Sequence, residues 1–446
     1  MLKTGKGVLA LIMSAVFAFG YAFPAGAEVT LEDILKRVEA LEAENTALKA
    51  EVGALKGAQV SQAAEVADVK AKTLSVAAAA APAAPLSAAG NFLKTKMDIE
   101  LYGFVSGVAA WSDSDQGGTA SMSNAPRENI AGVASDGQDI NFTAQDTRLG
   151  LNFKAPDLED GGKVSGKFEM DFAGGTASST TSMSVYNPRL RLAYAQLDYA
   201  KWGVMAGQNW DFFAPLSVNL INAGVLYRAG NIGTRHPMVY VSNNWGEMLG
   251  GKFTSKFGAI DTDDTQQEES GVPVGAGYVG YETKVAGVAT TLGVGGAYGR
   301  NVIAGATDAD IWAVTAGLTL KFTDWLSLKT EGYNGAKLDD FQGGSATGVN
   351  GYKGVQSTGG FVELTLKPTK KVETNFGAGQ DVTRDVQPSM SNSSVWDYNR
   401  TYYTNLKYSL SKDLLLGLEY QYFQTKYTDD VEGDANRLMS SLTLKF

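Results

Sequence analysis

From Leu438 every second residue reads Leu438, Ser440, Leu442, Leu444, Phe446, while Arg437, Met439, Ser441, Thr443 and Lys445 alternate with them. A period of two places successive side chains on opposite faces of a strand, one apolar and one polar. The pattern recurs at similar length after about residue 97. Val164, Gly166, Phe168, Met170 and Phe172 oppose Lys163, Ser165, Lys167, Glu169 and Asp171. Trp312, Val314, Ala316, Leu318, Leu320 and Phe322 form another apolar row, and Leu414, Leu416, Leu418, Tyr420 and Tyr422 a third. Repeated two-faced strands of this kind suit a closed wall with one face in lipid and the other in water. A soluble sandwich also alternates, but it has no need of so many Tyr and Trp at strand ends.

Sixteen candidate strands run from 98–111 to 436–446, an even number that returns both ends of the wall to one side. Weak patterning at 248–260 and 354–380 leaves fourteen or eighteen open. Short turns such as 200–201 and 411–412 alternate with long Gly/Ser/Asn/Asp-rich stretches at 112–145, 211–235, 335–353 and 381–398. In a barrel the short turns belong on the periplasmic side and the long loops outside. The stretch 211–235, DFFAPLSVNLINAGVLYRAGNIGTR, is too apolar for a solvated tip and is expected to fold into the lumen.

Ahead of the barrel lie three other segments. Residues 1–27 carry Lys3 and Lys6, the apolar run VLALIMSAVFAF and a small-x-small site at Ala25–Ala27, the pattern of an export signal. Residues 28–70 place Leu31, Val38, Asn45 and Val52 at heptad position a, and Ile34, Leu41, Leu48 and Leu55 at d. That spacing predicts a coiled coil and therefore an oligomer, although Val at a with Leu at d does not separate dimer from trimer. A lone helix lying on a membrane is the alternative, and its acidic polar face opposes it near anionic lipid. Residues 71–96, rich in Ala and broken at Pro82 and Pro85, read as a linker. The fold class is thus an all-β transmembrane antiparallel barrel of about sixteen strands over 97–446, preceded by an N-terminal coiled-coil helix.

Charge and composition narrow the function. The formal charge is -10, and loss of Lys3 and Lys6 makes it -12, which weighs against nucleic acid as a partner. With no cysteine and the single histidine His236, neither disulfides nor Cys- or His-cluster metal sites are available. No nucleophile–base–acid set appears, so neither an enzyme activity nor a cofactor is read. The acidic run 261–270, DTDDTQQEES, admits Ca²⁺ or plain solvation. Against this acidic background, basic residues gather on the inward positions of the early strands: Arg148 and Lys154, then Lys167, then Arg189 and Arg191. Arg228 and Arg235 lie in the inward loop. A pore selects by size and lining charge, and a basic row lowers the entry cost for anions. Glu169 and Asp171 share the face of Lys167, so salt-bridged wall packing is the competing reading.

The order of segments, with LYGFV at 101–105, DTRLGLNF at 146–153, GKVSGKFEMDF at 162–172, RLRLAYAQLDY at 189–199 and WGVMAGQNWDFF at 202–213, resembles the DcaP-like outer-membrane porins of Gram-negative bacteria. The resemblance implies a homotrimer in outer-membrane lipid with a periplasmic stem. It also implies passage of small anionic or hydrophilic solutes, dicarboxylates among them, past arginines in the constriction, and that role falls on Arg148, Arg189 and Arg191. A non-selective general porin and a nearly closed envelope-tethering barrel are the alternatives.

Overall fold

The computed structural model describes residues 97–114, 122–127, 137–174, 187–262, 271–301, 309–344, 355–384 and 395–446. The expected signal, stem and linker, and most of the acidic run at 261–270, lie outside the described residues. The strands are β1 (Asp98–Ser112), β2 (Asp139–Thr143), β3 (Arg148–Lys154), β4 (Lys163–Asp171), β5 (Arg189–Asp198), β6 (Trp202–Trp210), β7 (Arg235–Met248) and β8 (Gly251–Ile260). They continue as β9 (Val274–Val285), β10 (Val288–Asn301), β11 (Ala309–Lys321), β12 (Leu326–Ala336), β13 (Gln356–Thr369), β14 (Val372–Arg384), β15 (Trp396–Ser409), β16 (Leu414–Tyr427) and β17 (Glu432–Lys445).

Each strand pairs antiparallel with its neighbours, and β1 closes the ring on β17 with Phe104 opposite Lys445 and Ser112 opposite Arg437. β1 also pairs along its length with β2 and then β3, so these two form one stave, and the wall is a closed sixteen-stranded barrel. From sequence alone, 139–143 belongs to the long loop 112–145, and the structure makes it a strand. DINFT is too short and too isolated among polar residues to show a period by itself. It pairs because β1 extends far enough to offer it Val108 to Ser112.

The two faces separate as the alternation demands. Leu438, Leu442 and Leu444 stand exposed, as do Val314, Leu416, Leu418 and Phe168, whereas Arg437, Met439 and Thr315 are buried on the other face. Tight turns close one end. Leu249–Gly250 and Ala286–Gly287 have positive φ at both residues, the backbone of a two-residue hairpin whose twist matches its strands.

The chain from Asp211 to Thr234 leaves β6 and enters the lumen. Its base is tied where the Asp211 amide donates to Thr234 O at 2.8 Å and where Asp211 Oδ1 meets His236 Nδ1 at 2.8 Å. Phe212 and Phe213 bury among Met205, Tyr240, Ile260, Ile311 and Ala313 on the inner wall. Further on, the chain has no sheet partner of its own, and carboxylates of the wall take its amides. Leu216 N donates to Glu331 Oε2 at 3.4 Å and Asn219 N to Glu363 Oε2 at 2.6 Å. Ile221 N and Asn222 N reach the two oxygens of Glu419 at 2.6 and 3.0 Å. Asn405 and Asn399 donate to the carbonyls of Asn219 and Arg228, each at 2.7 Å.

Two wall glycines admit the close approach. A Cβ on Gly295 would stand 1.8 Å from Phe213 O, and one on Gly379 would stand 2.1 Å from Ala229 O. Val225, Leu226 and Arg228 take left-handed backbone, unfavourable for such residues and sustained by bonds such as Asn231 Nδ2 to Val225 O at 2.8 Å.

Two outcomes follow. Val314→Arg, on the lipid face near the middle of β11, is expected to destabilise the barrel by about 2–4 kcal/mol, read as a lowered urea midpoint in vesicles. An unchanged midpoint would mean that this face does not meet hydrocarbon. Glu419→Ala leaves the Ile221 and Asn222 amides without their acceptor, at about 1 kcal/mol or more each. Hydrogen exchange across 216–222 should then accelerate roughly tenfold or more while the wall stays protected. Unaltered exchange would show that the carboxylate does not hold the loop.

Candidate pore constriction

Beyond its base, the wall side chains named above that hydrogen-bond the inward loop fall on β12, β13, β15 and β16. Across the ring, on β3–β5, stands the basic cluster; β4 and β12 lie half a turn of the barrel apart. Two irregularities of the wall shape this cluster. Between Val108↔Thr143 and Phe104↔Arg148, the stave made of β2 and β3 holds one more residue than β1 does. Its turn is closed by Thr147 N donating to Ala144 O at 3.0 Å, and Arg148 follows immediately. Between Glu169↔Leu192 and Met170↔Leu190, β5 holds one extra residue, and that residue is Arg191. A bulge of this kind breaks pairing and re-aims a side chain. Here both bulges adjoin the arginines.

The resulting network is dense. Arg189 grips Asp171 with a two-pronged contact, Nε to Oδ1 at 3.0 Å and Nη2 to Oδ2 at 2.7 Å. Arg191 bridges both acids, with Nε 2.8 Å from Glu169 Oε1 and Nη1 2.7 Å from Asp171 Oδ2. Arg148 approaches Glu169 at 3.5 Å, and Tyr102 donates its hydroxyl to the other oxygen of Glu169 at 2.8 Å. Lys167 places its ammonium 4.6 Å from the centre of the Tyr102 ring. The salt-bridged arrangement allowed by the sequence is therefore present. It cancels part of the cluster's charge and fixes its geometry.

Exposure divides the roles. The Arg191 side chain is 8 % exposed and sits at the centre of the network, whereas Arg148 and Arg189 keep 28 % and 38 %. Arg235, at the start of β7, joins from the side. Its guanidinium lies 5.0 Å from the Trp210 ring, with that of Arg191 at 5.8 Å from the same ring. Asp146, in the β2–β3 break, is in electrostatic reach of Arg148, Arg189 and Arg191. Arg148, Arg189, Arg191, Arg235 and Lys167 thus face Glu169, Asp171 and Asp146, and the balance is positive.

Two residues of the expected row stand elsewhere. Lys154 is exposed opposite Asp98 at the turn end of β3, about 20 Å along the strand from Arg148. Arg228 sits on the far side, in the loop. Burial pushes its guanidinium below the ordinary arginine range, while the charges of Asp339 and Asp381 act against that shift. Its positive charge is met locally by those acids. Sequence reasoning passed over the carboxylates Glu331, Glu363 and Glu419. The only trace of their role was that each stands on an inward row, where polar residues are the rule in a water-filled barrel.

No family model and no curated protein sequence matches the chain. Solved structures do. The outer-membrane channel DcaP of Acinetobacter baumannii superposes with a TM-score of 0.61 at 23% identity, over 79% of this chain and 99% of that one. An anion-selective porin from Comamonas acidovorans gives 0.55 at 15% identity, over 78% and 100%. Salmonella typhi OmpF, solved with daunomycin, gives 0.53 at 13% identity, over 78% and 97%. At these identities the likeness speaks for the fold, and the fold is that of the outer-membrane porins. The resemblance carried by the motifs of β1 and β3–β6 is met at that level.

Proposed function

We propose that the protein is a passive outer-membrane channel for small hydrophilic solutes with a preference for anions, dicarboxylates among them. The observation that carries this reading is the asymmetry of the lumen. On β12, β13 and β16 the carboxylates of Glu331, Glu363 and Glu419 point at loop amides, which lie between them and the channel. On β3–β5, Arg148 and Arg189 keep exposed edges toward the lumen. A solute passing between loop and wall meets positive charge on one side and hydrogen-bonded backbone on the other. Within roughly 8 Å, the Debye length at physiological salt, such local charge outweighs the acidic total of the chain. The Comamonas porin of similar fold is anion-selective, which agrees in direction.

The preference is moderate on this account, because Asp171 already fills the fork of Arg189. A solute carboxylate finds the remaining edge of Arg189, together with Arg148 and Lys167. This pairing also favours a second reading, a general diffusion porin with a reversal potential near zero. In a salt gradient the wild-type channel is expected to reverse on the anion side, and Arg148→Ser/Arg189→Ser to shift toward cations. Arg191 is left in place in that variant because Glu169 and Asp171 depend on it. A cation-selective wild type, or a double variant with the wild-type potential, would overturn the anion assignment. Absence of current at high voltage and high salt would favour the envelope tether.

Assembly as a homotrimer with the segment 28–70 as a periplasmic coiled coil, after an export signal at 1–27 and a linker at 71–96, belongs to the same proposal. The heptads and the motif resemblance support it. The mass of the native detergent-solubilised protein should correspond to three chains. A monomeric mass for the full-length protein would refute trimer assembly.

A further inference from the structure

At the turn end of the barrel a second basic concavity opens, with a volume of about 640 Å³, lined by Lys367, Lys370, Lys371, Lys407 and Lys445. It shares staves with the loop anchors but lies further toward the turns. Lys367 is four residues beyond Glu363 on β13, about 13 Å. Lys407 follows Asn405 by two on the inward row of β15, and Lys445 lies on the inward row of β17 with Ser441 and Thr443.

Acidic side chains in the lining are fewer. Glu373 takes Lys367 at 3.0 Å and stands in register opposite Lys407, and Asp324 is at the neighbouring turn. The remaining ammoniums outnumber the carboxylates. Ser409 adds a hydroxyl to the same surface.

The donors here differ in kind from those of the constriction. Guanidinium forks pair bidentately with carboxylate and phosphate alike, whereas several ammoniums on flexible stems act as point charges whose rotatable donors can converge on the oxygens of one phosphate. We propose that this lysine-lined mouth is a binding station for phosphate oxyanions. The phosphate has two possible sources. One is free inorganic phosphate or a phosphorylated solute in transit. The other is the headgroup of an anionic phospholipid at the barrel rim, where Trp325, 52% exposed, lines the same concavity beside Lys370 and Lys371. The station rests on the channel reading above but not on the selectivity of the arginine cluster.

The test is calorimetric titration of the full-length protein in detergent with inorganic phosphate. Lys407→Gln/Lys445→Gln should weaken binding by about tenfold or more, and the single Lys371→Gln by less. Arg148→Ser/Arg189→Ser should leave it unchanged. A heat-modifiable band on gels reports that each variant is folded. In nanodiscs, abolition of the phosphate signal by phosphatidylglycerol but not by phosphatidylcholine identifies the lipid headgroup as the occupant. Equal signals in both identify free phosphate, and either result supports the station. Wild-type protein that binds no phosphate, or lysine variants that bind it as the wild type does, would overturn the proposal. Conductance and reversal potential, measured separately, show whether the channel reading itself stands.

Discussion

An irregular chain crossing a barrel lumen needs acceptors for its amides, and here carboxylates of the opposite wall supply them. Glu419 receives two loop backbone N–H groups at hydrogen-bond distance, Glu363 one together with the Asn219 side-chain amide, and Glu331 one more at the edge of that range. Burial makes the loss of either partner of such a bond costly, because the group left behind is buried without one. The same contacts settle the electrostatics of the channel. Each glutamate that holds the loop is screened from the lumen by the segment it holds. If the loop lay on β3–β5 instead, the acids would face the solute and the arginines would be covered.

The basic wall depends on local departures from regular pairing. A regular β5 would place either Arg191 or Leu192 inward, and the extra residue brings Arg191 into the network between Glu169 and Asp171. The break before Arg148 is a second such device. Neither adds stability through the ladder, since each interrupts it. Their effect is to gather guanidinia and carboxylates where strict alternation would spread them along the strands. On the proposed reading Arg191 is then a positioning residue, and Arg148 and Arg189 are the groups a solute would meet.

Much of the wall was legible because its physics is local. A strand with one face in lipid and one in water has to alternate, so Leu438 to Phe446, Trp312 to Phe322 and Lys163 to Phe172 reveal their faces without tertiary information. The inward fold of 211–234 was legible from its apolar content for a similar reason. What stayed hidden depends on partners distant in sequence. The strand 139–143 forms only because β1 is long. The pins Glu331, Glu363 and Glu419 look like any polar residues of a lumen until the loop arrives. Lys154 and Arg228 matched a basic inward row by parity and position. Parity does not fix height along the barrel, and it does not tell that Asp339 and Asp381 await Arg228 on the far side.

The claim that loop and wall divide the lumen into a covered acidic side and an open basic side is open to direct observation. Crystals of the protein soaked separately in bromide and in rubidium would locate each ion by anomalous scattering. Bromide is expected beside Arg148 and Arg189, and no rubidium at Glu331, Glu363 or Glu419. Rubidium collecting on those glutamates, with no bromide on β3–β5, would contradict it.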